Sequence, residues 1–397
     1  MLTLFYILVM QQIAQGVVSL WEGWKWFLMV RRRLTAHSGF YAPRVALICP
    51  CKGSENGLEP NLSALVNFDY PTYETFFVVA SALDSARMII DRVSSTAKKP
   101  AHLVVAGSPK ECGEKVNNLR AGVREAGDKF DVYVFVDSDA RLARGWLTHL
   151  VAPLADANAG AASTYRWYFP NRGGFASAML SAWNAAIATQ LGDHEHNFCW
   201  GGGTAIRRDV FDRAAVLEAW EGAVSDDWAL TAALERAGLR ILFVPECLAP
   251  TLGDVNPEQL LEFTNRQMIL TRVYSPRRWA IAALAHLSYC VTVLFTIFFI
   301  FDRMFTGDSW TGILLLAFLV IMLAAGKGAM RAVAIQDLLH EWRSKCESWS
   351  WAWIALAPVV PFLFLWNFIV SAFERRIRWR GVRYELISET QTRVLSH

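Results

Sequence analysis

The chain has 397 residues, 54% of them hydrophobic, with 17 Trp and 24 Phe, and it carries a formal net charge of +3. So much apolar content excludes an ordinary soluble enzyme, 19% charged residues exclude a pure membrane bundle, and near-neutrality argues against nucleic acid as a partner. The 7 cysteines show neither a zinc spacing nor a disulfide framework, so reduced thiols facing the cytosol are expected.

In chain order, the first expectation is a retained membrane anchor over residues 4–28, closed by Arg31, Arg32 and Arg33. After Pro43, β-rich runs alternate with helical patterns. Strands are expected at 45–49, 75–80, 102–106, 132–136 and 241–244, and helices at 62–67, 86–94 and 116–126. That alternation predicts an α/β domain with a mixed, mostly parallel sheet. The run 175–191 is apolar but short and punctuated by Ser177, Ser181, Asn184 and Gln190, which predicts a helix buried in the domain or lying against the bilayer.

Three further apolar runs follow at 280–301, 310–326 and 351–373, with Trp310, Trp349, Trp351 and Trp353 at expected interfaces. The basic clusters 31–33 and 277–278 place the region between them in the cytoplasm. Three full spans after it would put the basic segment 374–381 on the far side, against the same rule. One run is therefore not a simple span; 351–373, interrupted by Pro358 and Pro361, is expected to be kinked or re-entrant, with 331–350 along the interface. Lys327 is the clear intramembrane ionisable residue, too little for a transport pathway. The domain reading is an anchor over 1–33, a cytoplasmic domain over 34–278, membrane or interfacial helices over 279–375 and a basic tail over 376–397.

Chemistry concentrates at Asp137–Ser138–Asp139, where a hydrophobic strand ends in two carboxylates. Open α/β sheets bind ligands at the carboxyl ends of their strands, and Mg2+ or Mn2+ takes one or two carboxylates with substrate phosphates completing its shell. Alone, the pair also fits a turn or cap. Asp84 follows the second strand, where it can accept a nucleobase N–H or simply close a turn. Lys115, Asn117 and Asn118 offer an ammonium and amides to ribose or phosphate. Gly201, Gly202 and Gly203 let backbone approach a ligand. Asp226 and Asp227 open a helix, where an N-cap role competes with catalysis. His194 and His196 invite a metal, but no third ligand stands at a standard spacing, so a polar loop near the acceptor is expected.

As an ordered set these elements resemble inverting family-2-type glycosyltransferases, and more closely the ceramide glucosyltransferase branch, family 21. Pro50, Lys52 and Gly53 resemble its P-x-K-G element; Phe68–Asp69–Tyr70–Pro71, Tyr73 and Glu74 its D-Y-P-x-Y-E element; Lys115, Asn117, Asn118 and Leu119 its K-x-N-N-L; and Trp379, Arg380 and Tyr384 its closing W-R-x-x-x-Y. The resemblance runs from about 43 to 385. It implies a GT-A nucleotide-diphospho-sugar transferase fold with transmembrane helices at both ends, a UDP-sugar donor, Mn2+ or Mg2+ on Asp139 with Asp137 assisting, and Asp227 as general base. Asp84, Lys115, Asn118, Asp137 and Gln267 would bind the donor. Gly202, Gly203, His194, Asp226 and Arg272 would serve the acceptor or its loops. The family's Q/R-x-x-R-W motif is incomplete: Gln267 is present, but Leu270–Thr271 stand where its Arg–Trp would be, with Arg272 the next residue and Arg278–Trp279 further on. The expected reaction moves a hexose, glucose foremost, to a lipid hydroxyl such as ceramide. The same chemistry on a hopanoid, diacylglycerol or polyprenyl phosphate stands as an alternative, as does a non-catalytic nucleotide-binding membrane protein.

Overall fold

The computed structural model describes residues 1–35, 41–54 and 57–396. The chain opens with α1 (Leu2–Thr35), β1 (Val45–Pro50), α2 (Leu58–Leu65), β2 (Tyr73–Val79), α3 (Ala86–Ser95) and β3 (Ala101–Val105). It continues through α4 (Glu114–Ala126), β4 (Val132–Val136), α5 (Trp146–Val151), β5 (Ala159–Ser163), β6 (Arg166–Phe169) and α6 (Phe175–Ala188). Next come β7 (Gly203–Arg207), α7 (Arg208–Arg213), α8 (Val216–Ala219), α9 (Asp226–Arg236), β8 (Arg240–Phe243) and β9 (Ala249–Leu252). The last part holds α10 (Pro257–Tyr274), α11 (Pro276–Thr306), α12 (Thr311–Leu338), α13 (Arg343–Ala355), α14 (Val360–Phe373), β10 (Arg376–Trp379), β11 (Val382–Ser388) and β12 (Gln391–Ser396). These elements divide into two compact units, one of residues 35–167, 190–251 and 375–397, the other of 1–34, 168–189 and 252–374.

The first unit is built on a seven-stranded sheet in the order β3-β2-β1-β4-β7-β5-β8. β1, β2, β3 and β4 run parallel, β7 runs antiparallel between β4 and β5, and β8 lies parallel to β5. This is the mixed, mostly parallel sheet expected from the alternating pattern. β1 and β4 are apolar throughout because both their faces are covered. Gly122 lets α4 settle on β1, since a Cβ there would stand 2.5 Å from Ile48 Cγ2. Cys49 and Cys51 are buried thiols beside the first strand, as expected of small core residues. The chain order reverses direction across the sheet at β1, which is where such folds open a crevice beyond the strand ends. β7 starts at Gly203 opposite Val136, so the glycine run enters at that same edge.

The last segment, read from its charge as a basic tail, is instead a three-stranded antiparallel sheet, β10-β11-β12, and belongs to this unit. Ile377, Val382, Tyr384 and Leu386 alternate with charged residues, and these apolar positions are buried. Trp379 pairs with Val382 across the two-residue turn Arg380–Gly381, whose φ angles are +46° and +87°. Positive φ at both turn positions matches the twist of a tight hairpin, though it is an uncommon setting for an arginine.

The second unit is helical. α1, α11 and α12 are each long and apolar enough to cross a membrane. α1 runs antiparallel to α11, with Phe5 on Phe299 and Gln12 Nε2 donating to Ser288 Oγ, and parallel to α12, with Ser19 beside Lys327 and Arg31 beside Asp337. The C-terminal ends of α1 and α12 and the start of α11 therefore share one end of the bundle. α13 and α14 are bent by 72° at the break that holds Pro358. Tyr289 donates to the Pro358 carbonyl while Arg272 and Trp279 reach Ser371, so α14 runs back toward the end where α11 begins. The kink expected within 351–373 is present, but its first arm begins upstream at Arg343, and residues 331–338, expected along the interface, instead continue α12; the bent pair enters and leaves by one end.

α6 belongs to the helical unit rather than to the domain expected over 34–278. Its Trp183 stacks on Phe364 at 5.2 Å and donates to Asn367 Oδ1, and its Ser181 Oγ accepts from Trp353 Nε1. Residues 252–278 join the same unit.

Candidate active site

β4 delivers Asp137 and Asp139 at its carboxyl end, and the turn between them is pinned where Asn61 Nδ2 donates to the Ser138 carbonyl at 3.2 Å. Asp137 is held by two cations: Lys115 Nζ lies 2.7 Å from Oδ1, and Arg166 Nη2 lies 3.3 Å from Oδ2. Burial opposes ionisation of Asp137, but the Lys115 ammonium and the Arg166 guanidinium outweigh it, with Arg380 adding to the pull, and hold its carboxyl below the usual range. Arg166 sits with its guanidinium carbon 5.1 Å above the Trp200 ring, which limits where it can point.

Lys115 is shared. Its ammonium also reaches Asp226 Oδ2 at 3.2 Å and donates to the Gly201 carbonyl at 3.2 Å. Burial alone would lower its pKa, yet Asp137 and Asp226 keep it above the ordinary value. Asp226 is 2% exposed, and its Oδ1 has no hydrogen-bond partner. Burial pushes Asp226 up to about 7, opposed by Lys115 and reinforced by Asp227. Of the two carboxylates sharing one ammonium, Asp137 has the shorter contact and a second cation, so Asp226 is the one that retains a proton. Gly201 makes this arrangement possible, because a Cβ there would occupy the space of Asp226 Oδ2 and Lys115 Nζ.

Asp227 follows on the first turn of α9 and is half-buried. Its Oδ1 accepts from the Ser225 hydroxyl and from Trp228 N at 2.8 Å, while Oδ2 is 3.4 Å from Gly201 N. Ser225 is the residue preceding the helix, so the N-cap position falls there and not on Asp227.

Asp139 Oδ1 is buried without a hydrogen-bond partner. An orphaned carboxylate oxygen beside a strand end fits a hard divalent cation. No group of three or more His, Cys, Asp or Glu stands together among the described residues. A cation here would rest chiefly on Asp139, with Asp137 already engaged by Lys115 and Arg166, and would draw its other ligands from phosphate and water.

Asp84 Oδ1 accepts from Gly53 N at 2.8 Å and Ala86 N at 2.9 Å, so it ties the loop after β1 to the start of α3. Asn118 is buried, its Oδ1 unpartnered, while Asn117 Nδ2 donates to the Gly107 carbonyl at 2.9 Å. Gly202 and Gly203 leave room for the Trp200 ring and Thr164 Cγ2. His194 Nε2 meets the Gln190 carbonyl and Nδ1 accepts from His196 N, contacts local to an exposed loop. Gln267 and Arg272 lie on α10 of the helical unit, where Arg272 Nη1 donates to the Ser371 carbonyl at 2.6 Å.

One residue, Arg166, escaped the sequence reading, and two others were named there without the roles they have here. Arg166 stands in a strand too short and aromatic to announce a binding role, and Gly201 looked equivalent to its neighbours. Arg380 stands within a quoted motif but had no role; here its Nη1 donates to the Lys52 carbonyl at 3.2 Å, and Tyr384 OH accepts from Glu114 N at 3.2 Å. Those two contacts fasten the C-terminal sheet to the loop after β1 and to the start of α4.

The mixed, mostly parallel sheet with aspartates at the carboxyl end of β4 fits the GT-A glycosyltransferase fold that the sequence resemblance implies. The chain belongs to glycosyl transferase family 21, whose family model matches residues 4–392. It is similar to a mannosyltransferase from Pyrobaculum calidifontis, solved with GDP-Man and Mn2+, at 16% identity and a TM-score of 0.47 over 93% of this chain and 97% of that one. It is also similar to glucosyl-3-phosphoglycerate synthase from Mycobacterium tuberculosis, solved with Mn2+ and UDP-glucose, at 15% identity and a TM-score of 0.40 over 60% of this chain and 84% of that one.

Proposed function

We propose that this glycosyltransferase is an inverting, divalent-metal-dependent enzyme that moves a hexose, glucose foremost, from a UDP-sugar to a lipid hydroxyl, with ceramide as the leading acceptor. The observation that carries the reading is the convergence in one unit of Asp139, with its orphaned buried oxygen, Asp137 between Lys115 and Arg166, and the half-buried carboxylate of Asp227. Asp139 would hold Mn2+ or Mg2+, which when bound supplies Lewis-acid stabilisation of the departing diphosphate. Lys115 and Arg166 bring fixed positive charge to the same edge, where negative charge develops as the glycosidic bond breaks. Asp227 takes the acceptor's hydroxyl proton, its orientation set by Ser225 and the Trp228 amide. Asp84, Asn118 and Gln267 complete the donor assignment.

The membrane reading follows from the helical unit. α1, α11 and α12 cross the bilayer and the α13–α14 pair re-enters, which leaves Arg31–Arg33, Arg277–Arg278 and the catalytic unit on the cytoplasmic side and removes the conflict with the positive-inside rule. Sugar nucleotide then arrives from water and the acceptor along the bilayer.

The test is a radiolabelled-sugar transfer assay in nanodiscs that crosses UDP-sugars with ceramide, diacylglycerol, hopanoid and polyprenyl phosphate, wild type beside Asp227→Asn. A metal-dependent glycolipid from wild type is expected, with turnover falling by about 10²–10⁴ in the variant while UDP still binds. A variant that transfers sugar as fast as wild type would sink the base assignment. A product on a different acceptor would correct ceramide.

A further inference from the structure

The helical unit carries two cations that the reaction does not use. Lys327 and Arg331 stand one turn apart on α12, so they share a face of the helix, and like charges at that spacing repel. Lys327 Nζ donates to Ser19 Oγ of α1 at 2.7 Å, its stem passing 3.6 Å from the position a Cβ on Gly23 would take. Arg331 is 8% exposed, its Nε is buried, and it makes no hydrogen bond or ion pair among the described residues. Among the described residues, the only carboxylate within electrostatic reach of Lys327 is Glu22, which pairs with Lys25 at 2.7 Å. A guanidinium that is always charged and nine-tenths buried is costly without an anion, and far more so beside a second cation.

The depth of the pair says which anion. Counting from Thr311, next to the interfacial Trp310, to Arg331 gives 331 − 311 = 20 residue steps along α12, which at ~1.5 Å each is ~30 Å, the thickness of a hydrocarbon core. Asp337, bound to Arg31 at 3.3 Å, lies another 337 − 331 = 6 steps out, ~9 Å further and in the headgroup region. Arg331 is therefore level with the lipid phosphates, and Lys327 just beneath them. Basic sites between transmembrane helices at this level bind acidic headgroups. A zwitterionic headgroup would bring its own ammonium to two cations, whereas an anionic one leaves net negative charge to offset them.

We infer that Ser19, Lys327 and Arg331 form a binding site for the phosphate of an anionic glycerophospholipid between α1 and α12. The site is independent of the donor chemistry and of the acceptor's identity. The experiment is native mass spectrometry of the full chain released from micelles doped equally with phosphatidylglycerol and phosphatidylcholine. Wild type retains phosphatidylglycerol in preference, and Lys327→Met and Arg331→Gln each reduce that retention by about fivefold, while Arg32→Gln leaves it unchanged. Because Arg331→Gln can fail to fold, Lys327→Met, at the half-buried edge of the site, decides the matter alone. Equal retention by wild type and Lys327→Met, or no preference between the lipids, overturns the site. Loss of bound phosphatidylglycerol on adding inorganic phosphate assigns the pair to free phosphate and overturns the lipid.

Discussion

Replacing Asp226 by Asn keeps its shape and removes its titration, which makes it a sharp probe of the shared ammonium. An unfolded aspartate ionises near 3.8, whereas Asp226 in the fold holds its proton up to about 7. A group whose pKa rises on folding adds stability that is complete below the unfolded value and is lost as pH climbs through the folded one. Between about pH 5 and pH 7 the native state holds this proton and the unfolded chain does not, so wild type loses stability with each step in pH, on the order of 2 kcal/mol over the interval. The asparagine side chain of the variant has nothing to ionise. Its amide does leave a donor where Oδ1 had no partner, a penalty of about 1–3 kcal/mol that does not vary with pH. Denaturant unfolding in detergent, with a chelator present so that no cation occupies the neighbouring Asp139, should therefore show Asp226→Asn gaining on wild type as pH rises and levelling off above about 7. Two parallel stability curves would refute the claim that Asp226 is the protonated partner.

The same geometry sets other expectations. Asp139→Ala removes the orphaned oxygen and should abolish the manganese-dependent part of UDP binding together with transfer; calorimetric UDP affinity equal to wild type would remove the metal from this residue. Gly201→Ala drives a methyl into Asp226 and Lys115, and separating a buried pair costs about 3–5 kcal/mol, so the variant should unfold at clearly lower denaturant than wild type. Normal stability in Gly201→Ala would mean that the ammonium sits elsewhere.

How much of this was legible depended on whether the signal was local. β1, β2, β3, β4 and β8 could be read because each is a run of β-branched or aromatic residues between turn formers, and four of them lie in the parallel half of the sheet, where burial on both faces demands such runs. β5 is Ala-Gly-Ala-Ala-Ser and β7 opens on Gly203, the last of three consecutive glycines, so neither announces itself as a strand and both are fixed by the neighbours they pair with. β10 and β11 did carry the right alternation, but five arginines, Arg375, Arg376, Arg378, Arg380 and Arg383, made the segment look like a solvated tail. The aspartate pair of β4 was visible for the same local reason as the strand before it. That Lys115 bridges Asp137 and Asp226 was not, since the three come from α4, the end of β4 and α9 and meet only when the sheet is assembled.

The broken family motif has a spatial counterpart. Arg272 and Trp279 are 279 − 272 = 7 residues apart and sit on different helices, yet the Arg272 guanidinium carbon lies 5.9 Å from the Trp279 ring centre, and both side chains end on Ser371 of α14, one at its carbonyl and the other at its hydroxyl. An arginine and a tryptophan are thus paired in space although they are not adjacent in sequence, and what they grip is the returning helix of the bent pair. Arg272→Ala removes a charged hydrogen bond of 2.6 Å, worth about 1.5–3 kcal/mol, and frees the end of α14. The expected result is a lower thermal midpoint with the KM for UDP-sugar held, because the guanidinium acts on α14 and not on the donor. A raised KM at unchanged thermal stability would refute this and show that Arg272 serves the diphosphate directly.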